Sequence, residues 1–314
     1  MTPRLAIVMP CYNEQEMLPK TISVITEILD KMIADNQVAA DSYVLCVDDG
    51  SRDATWDVIN SLHEKDSKVK GVLLAHNRGQ MPALLAGMHT VTDRCDACVT
   101  IDADLQDDPY VIPRMVELSK EGNEIVFGVR SSRETDTWFK RNSALGYYKF
   151  LRRLGVESVY NHAEFRLMSH RALKLLGEYG ETNLYLRGIV AQIGLKTAVV
   201  TYPRKPREAG ESKYHLPQLL SLSIDGITSF TAKPMRIIFY LGLILFLISC
   251  VVAVWAMINY FAGKTVTGWT SLILSVWFLG SLILISLGIL GEYVGKIYIE
   301  VKHRPRYAIR EELF

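Results

Sequence analysis

The 314 residues contain no GxxxxGK[ST] stretch, and no GxGxxG follows the first strand-like run. These absences exclude a P-loop nucleotide site and a Rossmann dinucleotide site, so any phosphate-bearing ligand must be held differently. Charge of one sign is missing too: 35 Lys and Arg stand against 34 Asp and Glu, a formal net charge of +1. That balance excludes a globally basic nucleic-acid binder and confines any basic site to a local patch. Cysteine is sparse, with five residues at 11, 46, 95, 98 and 250. Only Cys95 and Cys98 form a CxxC, and no second pair or nearby histidine completes a zinc set. Reduced, packing cysteines are expected, as in a cytosolic compartment. The N-terminal "MTPRLAIVMPCYNE" has too short an apolar run, with the wrong flanks, for a signal peptide.

What is abundant is apolar character at the C-terminal end. Mean hydropathy is +0.13, high for a purely soluble chain. Residues 237–261, "IIFYLGLILFLISCVVAVWAMINYF", carry no charge, and neither do residues 268–290, "GWTSLILSVWFLGSLILISLGIL". Each is long enough to cross a hydrocarbon core of about 30 Å as a helix. Tyr240, Trp255, Tyr260, Trp269 and Tyr293 lie near the ends, where interfacial aromatics belong. The short link "AGKTVTG" makes a helical hairpin. Lys233 and Arg236 precede it, Lys296, Lys302, Arg304, Arg306 and Arg310 follow, and Lys264 alone lies between. The positive-inside rule then puts both chain ends in the cytoplasm. No interior charge marks an ion or proton path, so the hairpin reads as an anchor rather than a transporter.

Upstream, apolar runs at 5–10, 43–49, 71–76, 97–104 and 124–129 alternate with helical stretches. Near-continuous apolar strands between helices predict an α/β fold, a mostly parallel sheet covered on both faces. In such sheets ligands bind at the carboxyl ends of the strands. The polar clusters fall there: "PCYNE", "DDGSRD", "HNRGQ", "DADLQDD" and "RSSR". Beyond residue 130 the pattern is irregular and more basic. Residues 213–232 carry an apolar stripe, either along a membrane surface or packed on the domain. The expected division is a catalytic domain at 1–212, a juxtamembrane segment at 213–235, two spans at 236–293 and a basic tail at 294–314.

The stretch "VTIDADLQDDPYVI" places Asp102, Asp104, Asp107 and Asp108 within seven positions. Asp108 before Pro109 fits a helix N-cap, and Asp107 is read partly as a turn former. If the strand continues, Asp102, Asp104 and Gln106 project to one side. Oxygen ligands so spaced suit a hard divalent ion, Mg²⁺ or Mn²⁺, completed by water and a substrate diphosphate.

"MPCYNE", "VDDGSRDAT" and "DADLQDDP", in this order, resemble glycosyltransferase family 2, the nucleotide-sugar-dependent class with the GT-A (Rossmann-like) fold. "EFRLMS", "AGESKY", "DGITSFTAKPMR" and "LGEYVGKIYIEVKHRPRY" resemble the polyisoprenyl-phosphate (bactoprenol) glucosyltransferases, relatives of the dolichyl-phosphate mannose synthases. QxxRW, a mark of processive members, is absent, which favours transfer of a single sugar.

The resemblance implies that Pro10, Tyr12, Asn13 and Glu14 line the nucleotide pocket. Asp49 would help recognise base and ribose, with Ser51 nearby. Asp102 would sit beside the sugar diphosphate, and Asp104 and Gln106, with Asp102, would hold the metal. Arg130, Arg133, Arg204, Arg207 and Lys213 would hold phosphates, which agrees with the usual pairing of Arg and Lys with phosphate oxygens. Relatives usually read "GDFRLM", with the aspartate as proposed base; here "AEFRLM" offers Glu164, as base or as positioning carboxylate. The implied reaction is inverting and metal-dependent. It moves one hexose, glucose from UDP-glucose by first choice, to undecaprenyl phosphate at the cytoplasmic face of the inner membrane. The product would then serve to glycosylate a surface polymer, lipopolysaccharide or cell wall. Galactose, N-acetylglucosamine, an aminoarabinose-type sugar, or mannose from GDP-mannose remain alternatives. The resemblance further implies a lipid bilayer partner, no nucleic acid, and a homo-oligomer such as a tetramer.

Overall fold

The computed structural model describes residues 2–131, 162–181, 186–203, 233–262 and 268–314. They fall into two compact units, one holding the α/β elements together with Arg304–Phe314, the other the C-terminal helices.

The first unit alternates strand and helix as far as Arg130. The order is β1 (Leu5–Cys11), α1 (Leu18–Ala34), β2 (Tyr43–Asp48), α2 (Thr55–Lys65), β3 (Val69–Leu74), α3 (Gln80–Val91), β4 (Ala97–Thr100), α4 (Ile112–Lys120) and β5 (Ile125–Arg130). Then follow β6 (His162–Ser169), α5 (His170–Gly177), α6 (Leu186–Gln192) and β7 (Thr197–Tyr202). The sheet order is β7-β5-β6-β4-β1-β2-β3, and a last strand, β8 (Ile309–Leu313), closes the β3 edge. The β1 pairings with β2 and β4, the β2–β3 pairing and the β5–β7 pairing are parallel. β6 runs antiparallel between β4 and β5, and β8 antiparallel beside β3. This is the expected mostly parallel α/β sheet, of GT-A type.

Burial explains the strand compositions. Every residue of β2 and β4 is buried, as strands covered on both faces require. In α1, Leu18, Ile22, Ile25, Leu29 and Met32 recur at helical spacing and form the face packed into the core. α3 approaches β1 and β2 so closely that a Cβ on Gly87 would lie within 3 Å of Val8 and Val47 side chains.

Three expectations change. β4 stops at Thr100 rather than 104. The long final helix continues past 293, and within the expected basic tail residues 309–313 form a strand of the sheet. The tail docks because its side chains find partners there. Tyr307 Oη lies 2.8 Å from His89 Nδ1, Arg306 Nη2 donates to the Tyr179 carbonyl at 2.8 Å, and the Arg94 guanidinium stacks 4.0 Å from the Phe314 ring centroid.

The second unit contains α7 (Lys233–Phe261) and α8 (Trp269–Val301), of 29 and 33 residues. At about 1.5 Å per residue each exceeds the ~30 Å hydrocarbon thickness. Among the described residues, Phe278–Val301 is the stretch long and apolar enough to cross a membrane, and none of that window is buried. The other expected span, 237–261, lies within α7.

Candidate functional site

The loops leaving the carboxyl ends of β1 to β4 are laced together. Asn13 sits in the left-handed region, φ 53°, which its short amide side chain tolerates. Its N–H donates to Ser51 Oγ at 3.0 Å, and its Oδ1 accepts from the Arg52 N–H at 2.9 Å. The Glu14 N–H donates to Thr55 Oγ1 at 2.9 Å, and Gln15 Oε1 accepts from the Ala54 N–H at 2.9 Å. The structure therefore brings Asn13, Glu14 and Ser51 together, with half-buried Pro10 and Tyr12 on the same β1 exit.

At the end of β2, Asp48 Oδ1 accepts from the Ser51 N–H at 2.8 Å. Asp49 reaches across to the loop after β3, where its two oxygens accept from the N–H groups of Arg78 and Gly79, both at 2.7 Å. Gly50, next in the chain, adopts φ +64°, and a Cβ there would meet the backbone of His76 and Asn77 at 2.8–2.9 Å. Only glycine fits that approach. Burial raises the pKa of Asp49 above the usual carboxylate range, opposed by the two main-chain donors.

The acidic stretch lies in the loop after β4. Leu105 has φ 52°, and Asp104 Oδ1 accepts from the Gln106 N–H at 3.1 Å, a turn closed by its own side chain. That turn overturns the strand-alternation argument for Asp102, Asp104 and Gln106, which lie on a folded loop instead of an extended strand. Asp102 Oδ1 accepts from Gln80 Nε2 at 2.7 Å. Its carboxyl is pushed up to about 6 by burial, then by the charges of Asp107 and Asp104, with Arg130 and the Gln80 bond pulling the other way. Asp107, 1 % exposed, accepts at Oδ1 from Arg130 Nε at 2.8 Å, Arg130 Nη2 at 2.8 Å and Tyr202 Oη at 2.7 Å. Asp108 caps the turn at Pro109 through the Tyr110 N–H, as expected.

β6 brings Glu164 to the same end of the sheet. The antiparallel register pairs Thr100 with Arg166, so the chain beyond Thr100 heads toward Asp102 while β6 runs back to Glu164. Thr100 Oγ1 donates to the Glu164 carbonyl oxygen. Glu164 and Arg166 are both buried and form an ion pair, being i and i+2 on one strand face. Arg166 Nη1 also donates to the Leu186 carbonyl at 3.5 Å.

The donor chemistry of the acidic loop fits a divalent cation. Its candidate ligands are all oxygens, and the charges of Asp107 and Asp104 add to burial in raising the pKa of Asp102, a repulsion that a cation would relieve. Among the described residues, no three His, Cys, Asp or Glu side chains are grouped to hold an ion by themselves. Mg²⁺ commonly takes one or two carboxylates and completes its shell with water and substrate phosphate. Of the expected phosphate ligands, Arg130 lies here; Arg133, Arg204, Arg207 and Lys213 fall outside the described residues.

The sequence reading did not single out Gln80, Arg166 or Tyr202. Gln80 ends "HNRGQ", already placed at a strand end, so its position was available as a signal. Arg166 carries the i, i+2 signal from Glu164. Nothing local marks Tyr202, whose partner is 95 residues away.

Residues 6–192 match the family model described as Glycosyl transferase family 2, and residues 233–297 match the GtrB C-terminal hairpin. Among curated proteins, an uncharacterized glycosyltransferase of Bacillus subtilis (strain 168), YkoT, is 50 % identical over 312 residues, 99 % of this chain and 93 % of its own length. The bactoprenol glucosyl transferase of Shigella phage SfV is 37 % identical over 311 residues, 98 % and 99 % of the two chains. Among solved structures, glucosyl-3-phosphoglycerate synthase from Mycobacterium tuberculosis, crystallised with Mn²⁺, UDP and phosphoglyceric acid, aligns with a TM-score of 0.47 at 18 % identity. That alignment covers 72 % of this chain and 76 % of the other.

Proposed function

Because the chain belongs to glycosyl transferase family 2 and is therefore a glycosyltransferase, we propose that it transfers one glucose from UDP-glucose to undecaprenyl phosphate. The reaction would take place at the cytoplasmic face of the inner membrane, with α7 and α8 as the anchor. The observation that carries the reading is the acidic loop of Asp102 to Asp108 at the carboxyl end of β4, in a chain that also has an exposed apolar helix, Phe278–Val301. The 37 % identity to a bactoprenol glucosyl transferase over nearly all of both chains supports the lipid acceptor and the sugar.

In this mechanism the laced loops of Asn13, Glu14 and Ser51 seat the nucleotide beside Pro10 and Tyr12. Asp49 fixes the loop after β3, and the remaining lone pairs of its carboxylate suit a ribose hydroxyl. Asp102, oriented by Gln80, faces the sugar diphosphate. Asp104 and Gln106, with Asp102, would hold Mg²⁺ or Mn²⁺, which supplies neutralisation of the departing diphosphate. An oxygen of the acceptor phosphate forms a bond to the anomeric carbon as the bond to the UDP oxygen breaks, and a single displacement inverts that centre.

A phosphate monoester has its second pKa near 6, so the acceptor is largely dianionic at cytosolic pH and nucleophilic without losing a proton. The Glu164 carboxylate is buried and already engaged by the Arg166 guanidinium. We therefore assign Glu164 to positioning. Arg130 stands at the end of β5 as a phosphate partner, joined in the proposal by Arg133, Arg204, Arg207 and Lys213.

The test is a transfer assay on purified, membrane-reconstituted protein with undecaprenyl phosphate and a panel of radiolabelled UDP- and GDP-sugars. Label entering lipid from UDP-glucose alone is the expected result. Transfer from another donor moves the assignment to that sugar, and no lipid product from any donor sinks it.

A further inference from the structure

We propose that Tyr202 and Asp107 are positioning residues that fix the Arg130 guanidinium for the donor diphosphate. The inference rests on the donor reading above and adds residues that reading did not use. Arg130 and Tyr202 are register partners, the last residues of the parallel strands β5 and β7. Both converge on Oδ1 of Asp107, Arg130 through Nε and Nη2, Tyr202 through its hydroxyl. The other carboxylate oxygen of Asp107 is buried with no hydrogen-bond partner among the described residues. A carboxylate 1 % exposed is costly to bury unless paired, so the arrangement holds only while both partners are in place.

The tyrosine is seated for this task. Its ring packs edge-on against Phe165 at 5.4 Å, and Gly128 leaves the room: a Cβ there would come within 3.0 Å of both rings. The Ser131 N–H and Oγ both donate to the Tyr202 carbonyl, at 2.8 and 3.1 Å, tying the two strand ends together. Burial, then the Asp107 charge, pushes the phenol well above its ordinary pKa, so the hydroxyl remains a donor.

An unrestrained arginine loses rotamer freedom when it grips a phosphate. Asp107 takes the Nε edge of the guanidinium and thereby sets the plane of the fork before any ligand arrives. The same carboxylate belongs to the loop that carries Asp102, Asp104 and Gln106. Arg130 is therefore registered against the acidic loop, not merely near it.

The experiment is a double-mutant cycle of Tyr202→Phe and Arg130→Lys on the full-length protein, read as UDP affinity by calorimetry in the presence of Mn²⁺. Tyr202→Phe keeps the packed ring and removes one hydrogen bond to a charged group, so UDP should bind about tenfold more weakly. Arg130→Lys keeps the charge without the fork, and the double variant should bind no more weakly than Arg130→Lys alone. Asp107→Asn, close to isosteric, should weaken UDP and also fail to add to Tyr202→Phe, which keeps the test decisive if one variant folds poorly. Equal losses from Tyr202→Phe in both backgrounds would mean a merely structural tyrosine and overturn the inference. Unchanged UDP affinity in Tyr202→Phe would overturn it as well. A wild type that binds none of UDP, GDP, CDP or dTDP sinks the donor reading and this inference with it.

Discussion

Gln80 donates its side-chain amide to Oδ1 of Asp102 at 2.7 Å, joining the first turn of α3 to the acidic loop after β4. The bond links the exits of two separate strands, β3 and β4, and orients a carboxylate that burial, then the charges of Asp107 and Asp104, push up to about 6. Asp102 is thus oriented by a residue that is neither acid nor base.

Gln80→Ala should leave the fold intact and lower kcat/KM by about 10- to 100-fold, the range expected for losing a hydrogen bond to a charged group. Gln80→Glu should fall further, because a carboxylate there adds repulsion to the Asp102, Asp104 and Asp107 set. Steady-state kinetics decide; equal activity in Gln80→Glu and wild type would remove Gln80 from the site.

Asp104→Asn should abolish transfer without lowering Tm, since deleting one carboxylate relaxes local repulsion while a side-chain oxygen still closes the turn at Gln106. Excess EDTA should silence the wild type, and Mn²⁺ or Mg²⁺ should restore it. Full turnover in EDTA would end the metal assignment.

Much of this was legible because parallel strands write themselves as continuous apolar runs with polar exits. β1, β2, β3 and β5 fall within about two residues of the expected runs, and the exits carry the site. The β4 boundary was misjudged because Asp102 to Asp108 follow an apolar run without a break; the turn at Leu105 depends on backbone conformation that alternation cannot reveal. β8 was missed because Ile309–Leu313 includes three charged residues and earns its place through distant partners, His89, Arg94 and Tyr179. The Asp107–Tyr202 bond was hidden for the same reason: it spans 95 positions.

The buried Glu164–Arg166 pair gives an asymmetric prediction. Removing one partner, as in Arg166→Met, should destabilise by about 3–5 kcal/mol, because the buried carboxylate loses the guanidinium charge paired with it. Glu164→Gln/Arg166→Met together should recover much of that loss. Kinetically, a base at 164 predicts a ~10²–10⁴-fold loss in Glu164→Gln. A positioning carboxylate predicts a smaller one, with rate still rising near pH 6 as the acceptor ionises. Turnover below about a hundredth of wild type would return Glu164 to the base role.

His89 makes the docking of the C-terminal strand sensitive to acid. Its Nδ1 meets Tyr307 Oη at 2.8 Å, and its Nε2 is buried with no partner among the described residues. Burial, then the Arg306 charge, holds the imidazole below its ordinary pKa of 6.5, so the folded state prefers the neutral ring. A histidine depressed in this way contributes stability above its unfolded pKa and loses it as pH falls, because the unfolded chain takes up the proton more readily. Wild-type Tm should therefore drop between about pH 6.5 and 5 more steeply than that of His89→Gln, which keeps a polar side chain but does not titrate. Hydrogen exchange should find the Ile309–Leu313 amides opening first over the same interval. Parallel Tm curves for the two proteins would show that His89 takes up no proton on unfolding, and the tail would then be held by Arg306, Arg94 and the strand pairing alone.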